Sequence, residues 1–79
     1  MDLNKLFKKL KDKGFVYVKG NNNDSAIRLY FSVDLIGKGN TIEVTQWEHC
    51  ITVQTGIGPR LSDEITITEE ELFEYIEEI

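Results

Sequence analysis

The stretch SAIRLYFSVD, residues 25–34, decides the fold class of this chain. Apolar and polar residues alternate along it, which is the period of a β-strand with one buried face. The apolar face carries Ile27, Leu29, Phe31 and Val33, and the other face carries Arg28, Tyr30 and Ser32. The sequence therefore predicts a half-buried strand at its centre, and the remaining elements must cover the apolar face.

Further strands are predicted on both sides of this one. Upstream, Phe15–Lys19 predicts a short strand, and the Gly/Asn/Asp-rich segment 20–24 predicts a turn. Downstream, residues 37–40 predict the next turn. Thr41–Trp47 and Cys50–Thr55 are then β-branched runs on either side of Glu48-His49, which predicts either a hairpin or one bent strand.

The chain beyond residue 55 is less regular. Gly56–Pro59 predicts a loop that continues to about Asp63. Ile65 and Ile67 alternate with threonines, which predicts a short edge strand.

Two amphipathic helices are predicted at the ends of the chain. In the first, Leu3, Leu6, Phe7 and Leu10 form one stripe, Asp2 is the expected N-cap and Gly14 the expected C-terminal left-handed residue. In the second, Thr68 and Glu71 have the spacing of a capping box, and Ile67 and Leu72 that of a hydrophobic staple. Its expected buried stripe is Leu72, Phe73, Ile76 and Ile79.

The predicted fold class is α+β, in the order α-β-β-β-β-(β)-α, with both helices on one face of an antiparallel sheet of four to five strands. A length of 79 residues and 41% apolar content favour a single domain over residues 1–79. One cysteine, Cys50, excludes an intrachain disulfide and favours a reducing compartment. The Lys-rich first helix has no unbroken apolar run, so neither a signal peptide nor a membrane span is expected, and we expect a cytoplasmic protein.

Catalysis and metal binding are not expected from this composition. The single histidine, His49, is adjacent to Cys50, and neighbours on a strand point to opposite faces, so the two cannot act as a nucleophile and base by themselves. No second histidine completes a zinc site, and no calcium-loop spacing of aspartates occurs. We therefore expect no catalytic residues, no metal and no cofactor.

Charge is distributed unevenly along the chain, whose net charge is −5. The first 20 residues carry six lysines, whereas residues 61–79 carry eight carboxylates and no cation. Glu74, Glu77 and Glu78 exceed what the second helix needs for its own stability, because like charges at i, i+4 repel and acids near a helix C-terminus oppose its dipole. Solubility would explain this excess, and so would a basic partner. The candidate partner-binding residues are Asp63, Glu64, Glu70, Glu71, Glu74, Glu77 and Glu78.

The N-terminal part also resembles a known group of proteins. Residues 2–14 (DLNKLFKKLKDKG), 15–19 (FVYVK), an Asn/Asp/Ser loop and 25–33 (SAIRLYFSV) are similar in layout to small phage-encoded anti-CRISPR proteins, in particular the DNA-mimicking inhibitors of type II RNA-guided nucleases. The resemblance covers roughly the first 33 residues, and after Val33 the chain has more strand and a single helix. It implies an acidic surface that docks in the groove where the nuclease reads DNA.

The expected function is therefore non-enzymatic: an inhibitor of phage or mobile-element origin whose acidic surface blocks a basic nucleic-acid-binding protein, such as an RNA-guided CRISPR nuclease. The alternative is a structural or regulatory module, or a homodimer, that pairs through a sheet edge or through the aromatic residues Trp47, Tyr17 and Tyr30. Direct binding to double-stranded RNA is not expected, because affinity for phosphates requires a basic surface and the pI of this chain is about 4.7.

Overall fold

The computed structural model describes residues 1–23 and 25–79, and it confirms the α+β class and the order of the elements. In chain order the elements are α1 (Leu3–Asp12), β1 (Val16–Asn22), β2 (Ala26–Ser32), β3 (Asn40–Trp47), β4 (Ile51–Ile57), β5 (Arg60–Leu61), β6 (Ile65–Ile67) and α2 (Glu69–Glu78). The described strands form one antiparallel sheet in the order β1-β2-β3-β4, and the two short strands β5 and β6 both pair with the outer edge of β4.

The core lies between the two helices and one face of the sheet. Strand register places Leu29, Val44 and Val53 side by side on that face, and all three are buried. Leu6 and Leu10 of α1 and Leu72 and Ile76 of α2 cover them and are fully buried. This packing confirms the predicted apolar stripes of both helices, with the exception of Ile79, which is 46% exposed.

The predicted caps of α1 are present. The Asp2 carboxylate accepts a hydrogen bond from the Lys5 N–H at 3.1 Å, which satisfies one of the free donors of the first turn. Gly14 has a φ of 88°, and the Phe15 N–H donates to the Leu10 carbonyl at 2.9 Å. This left-handed C-terminus turns the chain directly into β1.

The predicted ends of the first two strands were wrong. Gly20 to Asn22 belong to β1, where they pair with residues 29 to 27 of β2, instead of forming a turn. The turn is tighter than predicted: the Asn23 side-chain oxygen accepts from the N–H groups of Ser25 and Ala26, at 2.8 and 2.9 Å. Asp24, which the sequence also assigns to this turn, lies outside the described residues. At its other end β2 stops at Ser32, and Val33 is 43% exposed and not part of the apolar face.

Two hairpins complete the sheet. Glu48 and His49 connect β3 to β4, and the Trp47 N–H donates to the Cys50 carbonyl at 2.8 Å, so the hairpin interpretation of this region is confirmed. The loop predicted from Gly56 was wrong, because β4 continues to Ile57 and pairs with β5 across the two residues Gly58-Pro59. Gly58 has a φ of 59°, which suits the first central position of a type II′ turn.

The face of the sheet away from the helices is termed the open face. Arg28 lies in register with Thr45 and Thr52, and Tyr30 lies in register with Glu43. Alternation therefore places Arg28, Tyr30 and Ser32 on this face, as the sequence predicts. Its threonines are buried beneath the longer side chains.

Candidate acidic binding surface

Helix α2 is a rigid support for carboxylates, because both of its ends are held by specific contacts. At its N-terminus the predicted capping box is present: the Thr68 hydroxyl accepts from the Glu71 N–H, and the Glu71 carboxylate accepts from the Thr68 N–H, each at 3.1 Å. The bonds from the Thr68 N–H and hydroxyl hold the pKa of Glu71 below its ordinary value of 4.5. Glu71 therefore has a structural role that accounts for its presence.

At its C-terminus, α2 is held by lysines of α1. The Lys9 ammonium hydrogen-bonds and ion-pairs with the Glu77 carboxylate, and the Lys13 ammonium donates to the Glu77 carbonyl oxygen at 2.6 Å. The hydrogen bond from Lys9, followed by its charge, lowers the pKa of Glu77. The cations that α2 lacks in its own last turn are thus supplied by another helix, which offsets the unfavourable dipole interaction.

The two helices run parallel and in register. Besides Lys9 and Glu77, the Met1 amino group lies 3.6 Å from a Glu69 carboxylate oxygen, and the Lys5 ammonium lies 4.6 Å from the centre of the Phe73 ring. All three contacts join residues 68 positions apart, so each turn of α1 faces the corresponding turn of α2. Two carboxylates of α2, Glu69 and Glu77, are therefore paired with positive charges inside the molecule.

Four carboxylates of α2 have no ion-pair partner among residues 1–23 and 25–79, and one of these, Glu71, is held in the capping box. The other three are Glu70, Glu74 and Glu78, which we term the acidic ridge. Their spacing of four residues places them on one side of the helix, about 6 Å apart along the axis. All three are exposed, while Leu72, Phe73 and Ile76 point into the core. The acidic ridge is thus an accessible row of negative charge on the outside of the helix layer.

The remaining predicted residues do not extend this ridge. Glu64 lies 3.6 Å from the Arg28 guanidinium, and Arg28 also contacts Glu43 at 3.3 Å, so Glu64 belongs to a charge cluster on the open face. Asp63 is exposed in the segment between β5 and β6. The prediction that Glu64 shares one surface with the helix is wrong. Glu64 precedes Ile65, which pairs with Val53 of the core face, so alternation directs residue 64 to the opposite side of the sheet.

The aromatic residues of the alternative hypothesis also lie on different faces. Trp47 and Tyr30 are half-buried on the open face, where the Arg28 guanidinium lies 5.1 Å from the Trp47 ring and the Lys19 ammonium 5.5 Å from the Tyr30 ring. Tyr17 instead packs on the helix side, edge-on to Phe7 at 5.3 Å. The three rings therefore do not form a single aromatic patch.

His49 and Cys50 lie at an exposed hairpin end, where the His49 imidazole is 3.7 Å from the exposed Glu48 carboxylate. Within the described part of the chain no three His, Cys, Asp or Glu side chains are close enough to hold a metal ion.

Comparisons with protein-family models, with curated proteins and with solved structures find no match to this chain. Neither α1 nor α2 is long and apolar enough to cross a membrane. The function is therefore inferred from the geometry of the acidic ridge.

Sequence reasoning missed the roles of Lys9 and Lys13 as partners of α2. The signal was present in the charge pattern, since Lys5, Lys9 and Lys13 recur every four residues along α1. Only the packing of the two helices shows which acids this row reaches.

Proposed function

We propose that this chain is a non-enzymatic binding protein whose acidic ridge docks on a basic surface of another macromolecule. The observation that carries the proposal is that Glu70, Glu74 and Glu78 remain exposed and unpaired among the described residues, although the same helix uses Glu71 and Glu77 internally. Repulsion between like charges at i, i+4 and the position of Glu78 near the helix C-terminus disfavour the helix. Helix stability accounts for Glu70, which lies in the first turn, but not for Glu74 and Glu78, and an external cationic partner would account for both.

The partner class that fits the ridge best is a nucleic-acid-binding groove. Such grooves present Lys and Arg side chains to a regular row of phosphates, and a rigid row of carboxylates offers them the same charge. We further propose that the groove belongs to a host defence protein, with a type II RNA-guided nuclease as the first candidate, and that the chain is an inhibitor of phage or mobile-element origin acting in the host cytoplasm. The similarity in layout of residues 2–33 to anti-CRISPR proteins supports this choice.

The proposal is tested with a variant pair of matched charge. E74Q/E78Q removes two ridge carboxylates without disturbing the capping box or the contacts of Glu77. D12N/E48Q removes the same number of charges from exposed positions elsewhere, and Asp12, like Glu78, lies in the last turn of its helix. Both variants should therefore fold, and they differ in which surface they neutralise.

The assay measures how well each variant blocks the binding of duplex DNA to guide-loaded type II nucleases, at low and at high salt. We expect the unaltered chain and D12N/E48Q to inhibit, E74Q/E78Q to inhibit at least about tenfold less, and added salt to weaken inhibition. Equal inhibition by both variants at low salt would refute a role for the acidic ridge. Failure of the unaltered chain to inhibit any nuclease of the panel would refute the assignment to this partner class.

A further inference from the structure

Strand β1 is an edge strand of the sheet, and it lies apart from the acidic ridge on α2. Within the described residues it pairs only with β2, and six of its seven residues are exposed. A free edge offers unpaired backbone N–H and C=O groups to which another extended chain can add as a strand. Strand addition gives affinity through the backbone, and specificity then depends on the side chains beside the edge.

An apolar cleft opens beside this edge. It has a volume of about 220 Å³, and its floor is a cluster of three rings in which Phe7 lies 5.3 Å from both Tyr17 and Phe31. Val16 and Tyr17 remain 38% and 44% exposed at its rim. The cleft is therefore suited to take up an aliphatic or aromatic side chain from a strand added to β1.

The charged residue that lines the cleft is positive. It is Lys11, and Lys8 lies one turn earlier on the same side of α1. Lys19 projects from β1 on the open face, where its ammonium lies 5.5 Å from the Tyr30 ring. Strand β1 contains no acidic residue. An incoming segment with carboxylates next to an apolar residue would therefore complement both the cleft and its surroundings.

A second copy of this chain fits the edge poorly. If β1 paired with β1 of another copy, the Lys19 residues of the two copies would lie on one joined sheet, where like charges repel. The carboxylate-rich segment of this chain is helical, so it cannot add to β1 as a strand.

We propose that β1 and the adjacent cleft form a second binding site, which takes an extended acidic segment of a partner protein as an added strand. The apolar side chain of the segment enters the cleft formed by Phe7, Tyr17 and Phe31, beside Lys11, and its alternate carboxylates lie on the open face, beside Lys19. This site is independent of the acidic ridge, which lies on α2.

The test uses a fluorescein-labelled peptide of alternating glutamate with valine or phenylalanine, and a second peptide with lysine in place of glutamate. Binding is followed by fluorescence anisotropy at low salt, and the site is located from amide chemical-shift changes. The variant K11E/K19E reverses the charge at the cleft and on β1, and K38E/R60E reverses two exposed cations outside both. E74Q/E78Q serves as the variant of the other proposed site.

We expect the acidic peptide to bind, the lysine peptide not to bind, and the shifted amides to lie in residues 16–22. K11E/K19E should weaken binding at least about tenfold, while K38E/R60E and E74Q/E78Q leave it unchanged. Equal weakening by K11E/K19E and K38E/R60E would overturn the proposal, because it would indicate attraction by net charge alone. Shifts confined to other elements, no binding of the acidic peptide, or a dimer whose β1 amides are protected from exchange would overturn it as well.

Discussion

The carbonyl group of Gly58 allows a quantitative test of how the end of the sheet is held together. Gly58 is buried, and its oxygen accepts hydrogen bonds from the Tyr30 hydroxyl at 2.8 Å and from the Thr41 hydroxyl at 2.9 Å. Both donors come from the open face, and the acceptor lies in the turn between β4 and β5. The two bonds thus attach this turn to strands β2 and β3.

Removing the two hydroxyls should have effects that do not add. In Tyr30→Phe or Thr41→Val the carbonyl keeps one donor, so each single variant should lose about 0.5–1.5 kcal/mol, the usual net value of one hydrogen bond. In the double variant the buried carbonyl loses both donors, and a buried group without a partner costs about 1–3 kcal/mol. We therefore expect the double variant to be destabilised by at least about 1 kcal/mol more than the sum of the single variants.

The free energy of unfolding is measured in urea with the fluorescence of Trp47, which is half-buried and whose indole N–H donates to the Thr52 hydroxyl at 2.9 Å. Sucrose in all samples keeps the least stable variant folded. Tyr17→Phe is the matched control, because it removes a hydroxyl that has no hydrogen-bond partner among the described residues, and it should change stability by less than about 0.5 kcal/mol. Additivity of Tyr30→Phe and Thr41→Val within about 0.3 kcal/mol would refute the reasoning.

Three further predictions concern the core, the β4–β5 hairpin and the helix pair. Ile76→Ala should lower the free energy of unfolding by about 2–5 kcal/mol, because Ile76 is fully buried. A domain of this size has a total free energy of unfolding of only about 3–5 kcal/mol, so circular dichroism should show a largely unfolded chain. Gly56→Ala places a Cβ against the Arg60 backbone carbonyl, so β5 should separate from β4. The Arg60 amide should then exchange its hydrogen faster. An unchanged exchange rate at Arg60 would contradict this packing. Lys9 lowers the pKa of Glu77 below its ordinary value of 4.5. The ion pair therefore stabilises the fold at pH values above 4.5, and this stabilisation is lost as the pH falls through the lowered pKa. Glu77→Gln should therefore lower the urea midpoint at neutral pH and not in strong acid, and an equal deficit at both would show that the charge is not the cause.

The features that the sequence predicted correctly are those that depend on neighbours along the chain. Asp2 and Gly14 mark the ends of α1, and Thr68 with Glu71 marks the start of α2, because caps join residues only a few positions apart. The alternation in residues 25–34 predicted which face of β2 is buried for the same reason.

The predictions that failed concern residues whose conformation depends on distant partners. Gly20 to Asn22 have a strong turn propensity, yet they extend β1 because β2 offers them a ladder of hydrogen bonds. Likewise, the two-residue turn at Gly58-Pro59 forms because β5 can pair with the end of β4. Pairing between strands overrides local preference, so these ends could not be obtained from short-range signals.

The sequence by itself determined the two helices, the central strands and the excess of carboxylates near the end of the chain. Only the tertiary structure decided which carboxylates are available to a partner. Glu77 is held by Lys9, Glu64 faces Arg28, and Glu70, Glu74 and Glu78 remain on an exposed ridge. The physical reason is that an ion pair depends on distance in space, and the lysine that reaches Glu77 lies 68 residues away along the chain.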